Sequence, residues 1–281
     1  MSRNRERVIE AVESCFSENE KTSPEDMLFS YRGILYPTAF SSPETLEALK
    51  SLEIRSDDVI LAGYPKTGEC SLERIDAEKE LQMFPRLEFG DPGIYERMKK
   101  LPSRRIISTH LHPHLLPFSI LQGKAKVLVL LRNPKDTAIS YYHFYNNMPV
   151  LPSFASWDEY FAAFMNGKCT LPCSFDFTSV LCSFGQNPVL GMKKIAAFFG
   201  FSLDEEDFHR IAKKTSFQAM KEKSKETHGK FGDILFRKGI VGSWRDLFSK
   251  AQNEEMDRKF EDSIGRTKLA AKIKYDVYCK A

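Results

Sequence analysis

The chain has 281 residues, of which 42% are hydrophobic, and its formal net charge is +3 at neutral pH. This composition excludes a disordered chain, and so small a charge excludes a protein that holds nucleic acid by a broad basic surface. The first residues are charged rather than apolar, and the longest strongly apolar run, VLVLL, is too short to span a bilayer. We therefore expect one cytoplasmic domain over residues 1–281, with no nucleic-acid or membrane partner.

Three short apolar runs predict buried strands, at residues 59–64, 105–110 and 126–131. They are rich in Val, Ile and Leu without alternation, which is typical of parallel strands covered on both faces. Helical patterns occur at residues 5–17, 43–52, 134–146, 157–165, 192–199, 204–213, 217–225 and 253–264. This order predicts the α/β class, a parallel sheet flanked by helices on both faces. Ligands of such sheets bind at the carboxyl ends of the strands.

The first strand runs into the sequence GYPKTGEC, which is typical of an anion-binding turn. Lys66 supplies charge, Thr67 a hydroxyl donor, and Gly68 lets the backbone approach an anion closely. It is not a Walker A motif, because the lysine precedes the glycine. The alternative is a surface turn with one exposed lysine.

The second strand ends in STHLHPHLLP, with histidines at 110, 112 and 114 on one face if the segment is extended. Zinc binding is one interpretation, although Pro113 interrupts the extension and no carboxylate or cysteine completes a ligand set. The six cysteines of the chain form no CxxC pair, which indicates free thiols. A second interpretation is that His110 is a general base, and a third is a structural histidine.

The third strand ends in LLRNPKDTAISYYHF, the most informative stretch of the chain. Arg132 follows the strand, Pro134 starts a helix, and Asp136 and Ser140 lie within its first two turns. An arginine here offers a fork of donors for phosphate, or else pairs with Asp136. Further along, residues 237–239 (Arg-Lys-Gly) form either a second anion site or an ordinary basic turn.

These segments, in this order, resemble the cytosolic sulfotransferases, which use 3′-phosphoadenosine 5′-phosphosulfate (PAPS) as sulfonate donor, and most of all the 6B branch of that family. The matching stretches include SYRGILYP, YPKTG, THLHPHLLP, LLRNPKDTAISYYHF, SWDEYFAAFMNGK, TSFQAMK and RKGIVGSWRDLF. The resemblance implies a P-loop-like sulfotransferase fold and transfer of a sulfonate group to a hydroxyl of a small acceptor, without a metal. Residues 245–254 resemble the family's dimer motif in degenerate form, which implies a homodimer, or else they simply begin a helix.

The resemblance also implies roles for individual residues. His110 would be the general base, and Lys66 would assist the leaving group. The other implied PAPS contacts are to the 5′-phosphosulfate (Lys66, Thr67, Gly68), the 3′-phosphate (Arg132, Ser140, Arg237, Lys238, Gly239) and the nucleoside (Thr215, Phe217).

The chain departs from the family pattern in three places. Glu69 and Cys70 replace the usual small hydroxyl residues of the phosphosulfate loop, and no tryptophan follows. A carboxylate about 4 Å from a bound phosphate costs about 1 to 4 kcal/mol. The usual strand ending in Tyr-Glu-Asp is replaced by residues 169–190, where only 179–184 could form a strand. Ser108 stands where many members have lysine.

These departures leave a second hypothesis, a catalytically impaired relative that acts only as a nucleotide-binding or interaction protein. A third, a nucleotide or small-molecule kinase, would need a Walker A lysine after glycine and magnesium ligands, neither of which is found in the sequence. The identity of the acceptor cannot be read from the 22 Phe and 10 Tyr of the chain, because aromatic residues are more often part of the core.

Overall fold

The computed structural model describes residues 10, 13–18, 22–66, 85–123, 125–170, 187–265 and 275–280. Five strands lie in these ranges: β1 (Leu28–Tyr31), β2 (Ile34–Pro37), β3 (Val59–Gly63), β4 (Ile106–Thr109) and β5 (Lys126–Leu130). The predicted weak strand at 179–184 lies outside them, as do residues 67–70 of the phosphosulfate loop.

β3, β4 and β5 form a parallel sheet in the order β4-β3-β5. Val59 at the start of β3 pairs with Ile106 of β4 and Lys126 of β5, so the three strands start and end together. The three predicted strands and the predicted parallel sheet are thereby confirmed. Because the strands are in step, their carboxyl ends lie side by side at one edge.

A short extended segment continues the sheet beyond β4. Arg86 bridges to Ser108 in parallel, the Ser108 N–H donates to the Pro85 carbonyl at 3.0 Å, and the Leu87 N–H donates to the Ser108 carbonyl at 3.0 Å. Arg86 therefore lies beside β4, opposite Ser108, one residue before the end of that strand at Thr109.

β1 and β2 form a separate antiparallel hairpin that the sequence analysis did not predict. Its turn residues Arg32 and Gly33 both have positive φ, of 50° and 80°. A two-residue turn of that kind matches the twist of the strands, but Arg is an uncommon residue at its first position. The hairpin therefore could not be predicted from its turn residues.

Helices flank the sheet, and six of the predicted helices occur within four residues of their predicted bounds. Four others were not predicted: Ile94–Lys99, Phe118–Leu121, Phe231–Leu235 and Tyr275–Cys279. The α-helices are Pro43–Ala48, Ile94–Lys99, Phe118–Leu121, Pro134–Asn147, Trp157–Met165, Pro188–Phe199, Glu205–Lys214, Phe217–Glu222, Ser224–His228, Phe231–Leu235, Lys250–Phe260 and Tyr275–Cys279, and residues 13–18 are helical too. The predicted helix 217–225 is wrong as one element, because it breaks at Lys223. The predicted helix 253–264 starts three residues earlier, where Ser249 and Gln252 form a capping box.

Apolar side chains cover both faces of the sheet, as predicted. On one face Ile60 and Ile107 pack in a cluster with Leu46 and Met98 of two helices. On the other face Val59 and Leu61 alternate with Ile60 and contact Phe199 and other residues of a second cluster. This arrangement holds the strand ends in fixed positions relative to each other.

A buried lysine fastens the helix Pro134–Asn147 to the end of the described chain. The Lys135 ammonium donates to the Cys279 carbonyl at 2.7 Å, to Asn253 Oδ1 at 2.5 Å and to Asp257 Oδ1 at 2.5 Å. It also lies 4.7 Å from the centre of the Trp244 ring. Every donor of this buried cation thus has an acceptor.

None of the helices in the described ranges is long and apolar enough to cross a membrane.

Candidate functional site

The predicted site residues follow three neighbouring strands. Lys66 comes three residues after the end of the central strand β3, His110 follows β4 directly, and Arg132 lies two residues beyond β5. The sheet therefore brings these three residues to the same edge.

His110 is held as a neutral imidazole in a defined tautomer. Its Nδ1 lies 2.6 Å from the Gly63 carbonyl oxygen, which can only accept, so Nδ1 carries the proton. Its Nε2 contacts the Arg86 guanidinium, which can only donate, so Nε2 presents a lone pair. Burial, followed by the charge of Arg86, holds the pKa of His110 well below its ordinary value, against the raising effect of the Gly63 hydrogen bond. Nε2 is thus the basic atom.

Glu88 and Arg86 flank His110 and were not predicted as site residues. The buried Glu88 carboxylate accepts from the His110 backbone N–H at 2.9 Å and from the Thr109 hydroxyl at 3.0 Å. Burial raises the pKa of Glu88, and the charge of Arg86 opposes that rise. Ser108 is the small residue opposite Arg86, at the position where the family often has lysine. The cation beside His110 comes instead from the neighbouring segment.

Lys66 connects the end of β3 to two other parts of the site. Its φ of 72° lies in the left-handed region, which costs a non-glycine residue about 1 kcal/mol or more. Its ammonium donates to the Leu235 carbonyl at 3.0 Å and lies 4.9 Å from the centre of the Phe144 ring. Its own carbonyl accepts from Arg132 Nη1 at 3.0 Å. The lysine thus joins the ends of β3 and β5 to the segment before Arg237.

The helix Pro134–Asn147, called the site helix below, begins as predicted, but Asp136 has a different role. Its carboxylate accepts from the backbone N–H of Gly242 at 2.7 Å, from the backbone N–H of Trp244 at 3.0 Å and from the Ser243 hydroxyl at 3.3 Å. The charge of Asp136 also favours the charged form of Arg132, whose guanidinium binds Lys66 instead. Asp136 therefore fixes the loop that follows Arg237 against the site helix.

Arg132 and Arg237 lie close enough for their charges to oppose each other. Burial lowers the pKa of both, and the nearby Asp136 acts against that lowering. Arg237 Nη2 donates to the Ser243 hydroxyl at 3.2 Å, whereas its buried Nε has no hydrogen-bond partner among the described residues. A buried guanidinium N–H without an acceptor is costly, so this donor fits an anion.

The remaining predicted phosphate contacts, Ser140, Lys238 and Gly239, differ in how exposed they are. Ser140 is buried on the site helix, one turn beyond Asp136. Lys238 is exposed and pairs with Asp246 at 2.7 Å. Gly239 has a φ of +66°, and a Cβ there would lie 2.3 Å from the ring of Phe217, so the two residues are in direct contact.

Thr215 caps one helix and His143 lies on another, and the charge of Arg237 acts on His143. Thr215 is exposed at the end of the helix Glu205–Lys214, and its hydroxyl donates to the Ile211 carbonyl at 2.9 Å. His143, which the sequence analysis missed, lies one turn beyond Ser140. Burial and then the charges of Arg237 and Lys238 lower its pKa. The positive potential around Arg237 thus extends to the site helix.

The histidines after β4 separate into two environments. His110 turns toward Gly63 and Arg86, whereas His112 and His114 contact each other through Nδ1, with ring centres 4.1 Å apart. Within the described ranges, no group of three His, Cys, Asp or Glu residues could hold a metal ion. The described site thus combines the side chains of Lys66, Arg132 and Arg237 with the neutral imidazole of His110.

Comparison with known proteins identifies the class to which such a site belongs. A family model described as the sulfotransferase domain matches residues 56–176 and 184–269. The chain therefore belongs to the sulfotransferase family, enzymes that move a sulfonate group from PAPS to an acceptor hydroxyl. The predicted family, fold and donor are confirmed.

Individual relatives then locate the chain near the 6B branch. Human Sulfotransferase 6B1 is 41% identical over 300 aligned residues, covering 99% of both chains. Sulfotransferase 6B1 of Danio rerio is 42% identical, covering 92% of this chain and 96% of its own. The crystal structure of mouse sulfotransferase SULT7A1 complexed with PAP has a TM-score of 0.78 at 32% identity, covering 88% of this chain and 98% of that one.

The human alignment also contains gaps opposite this chain. Its 300 aligned positions exceed the 281 residues present, and the match to the family model is interrupted at residues 177–183. That interruption coincides with the segment in which the sequence analysis found no Tyr-Glu-Asp strand.

Proposed function

We propose that this chain transfers a sulfonate group from PAPS to a small hydroxylated acceptor, with His110 as general base and Lys66 assisting the leaving group. The neutral His110 takes the acceptor proton on Nε2, because Nδ1 is already protonated and bound to Gly63. The Gly63 carbonyl orients the imidazole ring, and the Glu88 carboxylate holds the backbone N–H of His110. A positioned base of this kind contributes roughly 10²- to 10⁴-fold to the rate.

We further propose that the predicted nucleotide contacts act as two groups. Lys66, Thr67 and Gly68 bind the 5′-phosphosulfate, while Arg132, Ser140, Arg237, Lys238 and Gly239 bind the 3′-phosphate, with Thr215 and Phe217 beside the nucleoside. The PAP complex of mouse SULT7A1 supports a nucleotide of this kind.

The single observation that carries the proposal is the buried Nε atom of the half-buried Arg237, which has no acceptor among the described residues and lies near a second half-buried arginine, Arg132. Two like charges are costly to keep together in a desolvated place. Asp136 offsets part of that cost, yet its oxygens already accept from Gly242, Ser243 and Trp244. A phosphate group would give the Nε donor its acceptor and neutralise the remaining charge.

The test combines nucleotide binding with turnover. Titration calorimetry with 3′,5′-bisphosphoadenosine measures affinity, and mass spectrometry of a phenol incubated with PAPS measures transfer. We expect His110→Ala to lose at least 10²-fold in turnover while keeping nucleotide affinity within about threefold. His209→Ala, at an exposed position in the middle of the helix Glu205–Lys214, is the matched control and retains both. Unchanged turnover in His110→Ala would refute the base.

A nucleotide-binding relative without transfer activity is the second candidate. The observation in its favour is the interrupted family match at residues 177–183, together with Glu69 in the phosphosulfate loop. It predicts that the wild-type chain binds 3′,5′-bisphosphoadenosine but transfers no sulfonate to any member of a phenol, steroid and alcohol screen. Glu69→Ser, which restores a hydroxyl, would then strengthen nucleotide binding.

The proposed setting is a single domain over residues 1–281 in the cytoplasm, assembled as a homodimer through residues 245–254. Within that segment the first two residues, Arg245 and Asp246, end the turn Ser243–Asp246, and the last residues belong to the helix Lys250–Phe260. Gln252 is bound by Trp157 of its own chain at 3.0 Å, so residues before it are better placed to meet a partner. Sedimentation analysis of Leu247→Asp, an exposed position of the segment, tests the dimer.

A further inference from the structure

Arg86 occupies an unusual position for a cation in a site that needs a base. Its guanidinium donates to His110 Nε2, the atom to which the proposed function assigns the acceptor proton. An acceptor oxygen that gives its proton to Nε2 must approach that atom within hydrogen-bonding distance. It therefore also comes within reach of Arg86.

The backbone gives a reason for this placement. Arg86 bridges to Ser108, and Ser108 is two residues before His110 along the same extended segment. Residues two apart in an extended chain point to the same side, so the Arg86 side chain runs along the side on which His110 lies. Ser108 is too small to block the path of the guanidinium. The aromatic face of Phe89, 5.8 Å from the Arg86 guanidinium carbon, gives that group a second contact.

The charged groups around His110 act in opposite directions on an acceptor. Arg86 faces its Nε2, and Glu88 contacts its backbone N–H rather than its ring. Burial of Glu88 raises its pKa, which weakens its tendency to repel an anion. A guanidinium favours the ionised form of a neighbouring hydroxyl. A histidine whose pKa is lowered is a weak base, so it removes the proton of an acidic phenol more readily than that of an aliphatic alcohol.

We propose that Arg86 binds the acceptor oxygen as its proton passes to His110, and that the chain therefore selects acidic phenols over aliphatic alcohols. This rests on the proposed function. In the reaction the acceptor O–H bond breaks and its proton goes to Nε2. The phenolic oxygen forms a bond to the sulfur of PAPS, and the bond from sulfur to the 5′-phosphate oxygen breaks. The electron pair of that bond leaves on the phosphate of 3′,5′-bisphosphoadenosine.

The first experiment needs no turnover. The ionisation of 4-nitrophenol is followed by the visible absorption of its phenolate, with the protein saturated by 3′,5′-bisphosphoadenosine. We expect the pKa of the bound phenol to be lower than that of the free phenol by about 1 to 3, the effect of one close opposite charge. Arg86→Gln should abolish this lowering, and Arg86→Lys should restore part of it.

The control is Arg97→Gln, which removes the same charge from an exposed ion pair with Asp91. It should leave the pKa of the bound phenol unchanged. A bound phenol that titrates like the free one in the wild type, equal lowering in Arg86→Gln, or no binding of the phenol at all would each overturn the proposal.

A second experiment separates this proposal from the proposed function. The ring signals of His110 are titrated by NMR in the protein without ligand, with His110→Gln for assignment. Arg86→Gln should raise the pKa of His110, because the opposing charge is removed, and an unchanged pKa would count against Arg86. If transfer is active, kcat/KM should fall as the pKa of substituted phenols rises, with cyclohexanol poorest, and Arg86→Gln should flatten that trend. If the wild-type protein did not bind 3′,5′-bisphosphoadenosine, but Arg86→Gln still raised the pKa of His110, the proposed function alone would be refuted.

Discussion

Replacing Asp136 by asparagine should destabilise the fold at the point where the site helix meets the loop after Arg237. The carboxylate is 1% exposed and accepts two backbone N–H groups and one hydroxyl, from Gly242, Trp244 and Ser243. Asparagine keeps one oxygen but presents an NH₂ group on the other side. One of the three donors then faces another donor instead of an acceptor.

The magnitude follows from those contacts. An unsatisfied buried N–H, together with the loss of charge from the other hydrogen bonds, costs about 1.5 to 3 kcal/mol. Loss of a negative charge from the first turn of the site helix adds about 0.3 to 1 kcal/mol. We therefore expect Asp136→Asn to lower the free energy of unfolding by about 2 to 4 kcal/mol, a large fraction of the roughly 5 to 15 kcal/mol of a typical domain.

Equilibrium unfolding in urea, followed by tryptophan fluorescence, measures this change. Trp244 is one of two tryptophans in the chain, and its backbone N–H is bound by Asp136, so its emission reports the loop directly. Glu206→Gln, an exposed carboxylate in the first turn of the helix Glu205–Lys214, controls for the helix-dipole contribution and should cost no more than about 1 kcal/mol. A cost of less than about 1 kcal/mol for Asp136→Asn would refute this account.

Three further predictions concern the same region. Arg237→Gln should weaken binding of 3′,5′-bisphosphoadenosine by at least about tenfold in calorimetry, since a charged hydrogen bond contributes roughly 1.5 to 3 kcal/mol; unchanged affinity would exclude Arg237 from the site. Burial and the charges of Arg237 and Lys238 lower the pKa of His143 in the unliganded protein, so a bound phosphate should raise it and binding should take up protons below neutral pH. Calorimetry in buffers of different ionisation enthalpy measures that uptake, and none at all would place the phosphate elsewhere. Lys135→Met should cost about 3 to 5 kcal/mol in urea unfolding, because it leaves the partly buried Asp257 without its cation; Lys259→Met is the exposed control.

The parts of the site that follow strands could be predicted from the sequence because they depend on local order. Apolar runs of five or six residues define strands, and neighbouring parallel strands end at the same edge of a sheet. Lys66, His110 and Arg132 were therefore expected at that edge. Pro134 and Asn133 mark the start of the site helix by chain-local rules. The site helix extends one residue beyond the predicted end.

Contacts between distant segments could not be predicted in the same way. Asp136 lies four residues from Arg132, which suggested a local pair, yet its partners come from a loop more than 100 residues later. Arg86 and Glu88 act on His110 across a strand boundary, and nothing in FPRLEFGD distinguishes them from surface charges. The one sequence feature that could have identified Glu88 is its position as a carboxylate between two apolar residues. The break between the helices Phe217–Glu222 and Ser224–His228 contains no glycine or proline, so the sequence pattern did not predict it.

The contact between Gly239 and Phe217 has a consequence for how this protein can change. No side chain fits at 239 while the phenylalanine ring stays where it is, since even a methyl group would overlap it. Alanine at 239 therefore becomes tolerable only in a chain whose residue 217 is already smaller. A smaller residue at 217 in turn removes the ring that we place beside the nucleoside. Position 217 can therefore vary alone toward smaller residues, whereas position 239 can gain a side chain only after residue 217 has become smaller, and even then at a positive φ that glycine favours, so substitutions at the two positions have to occur in that order.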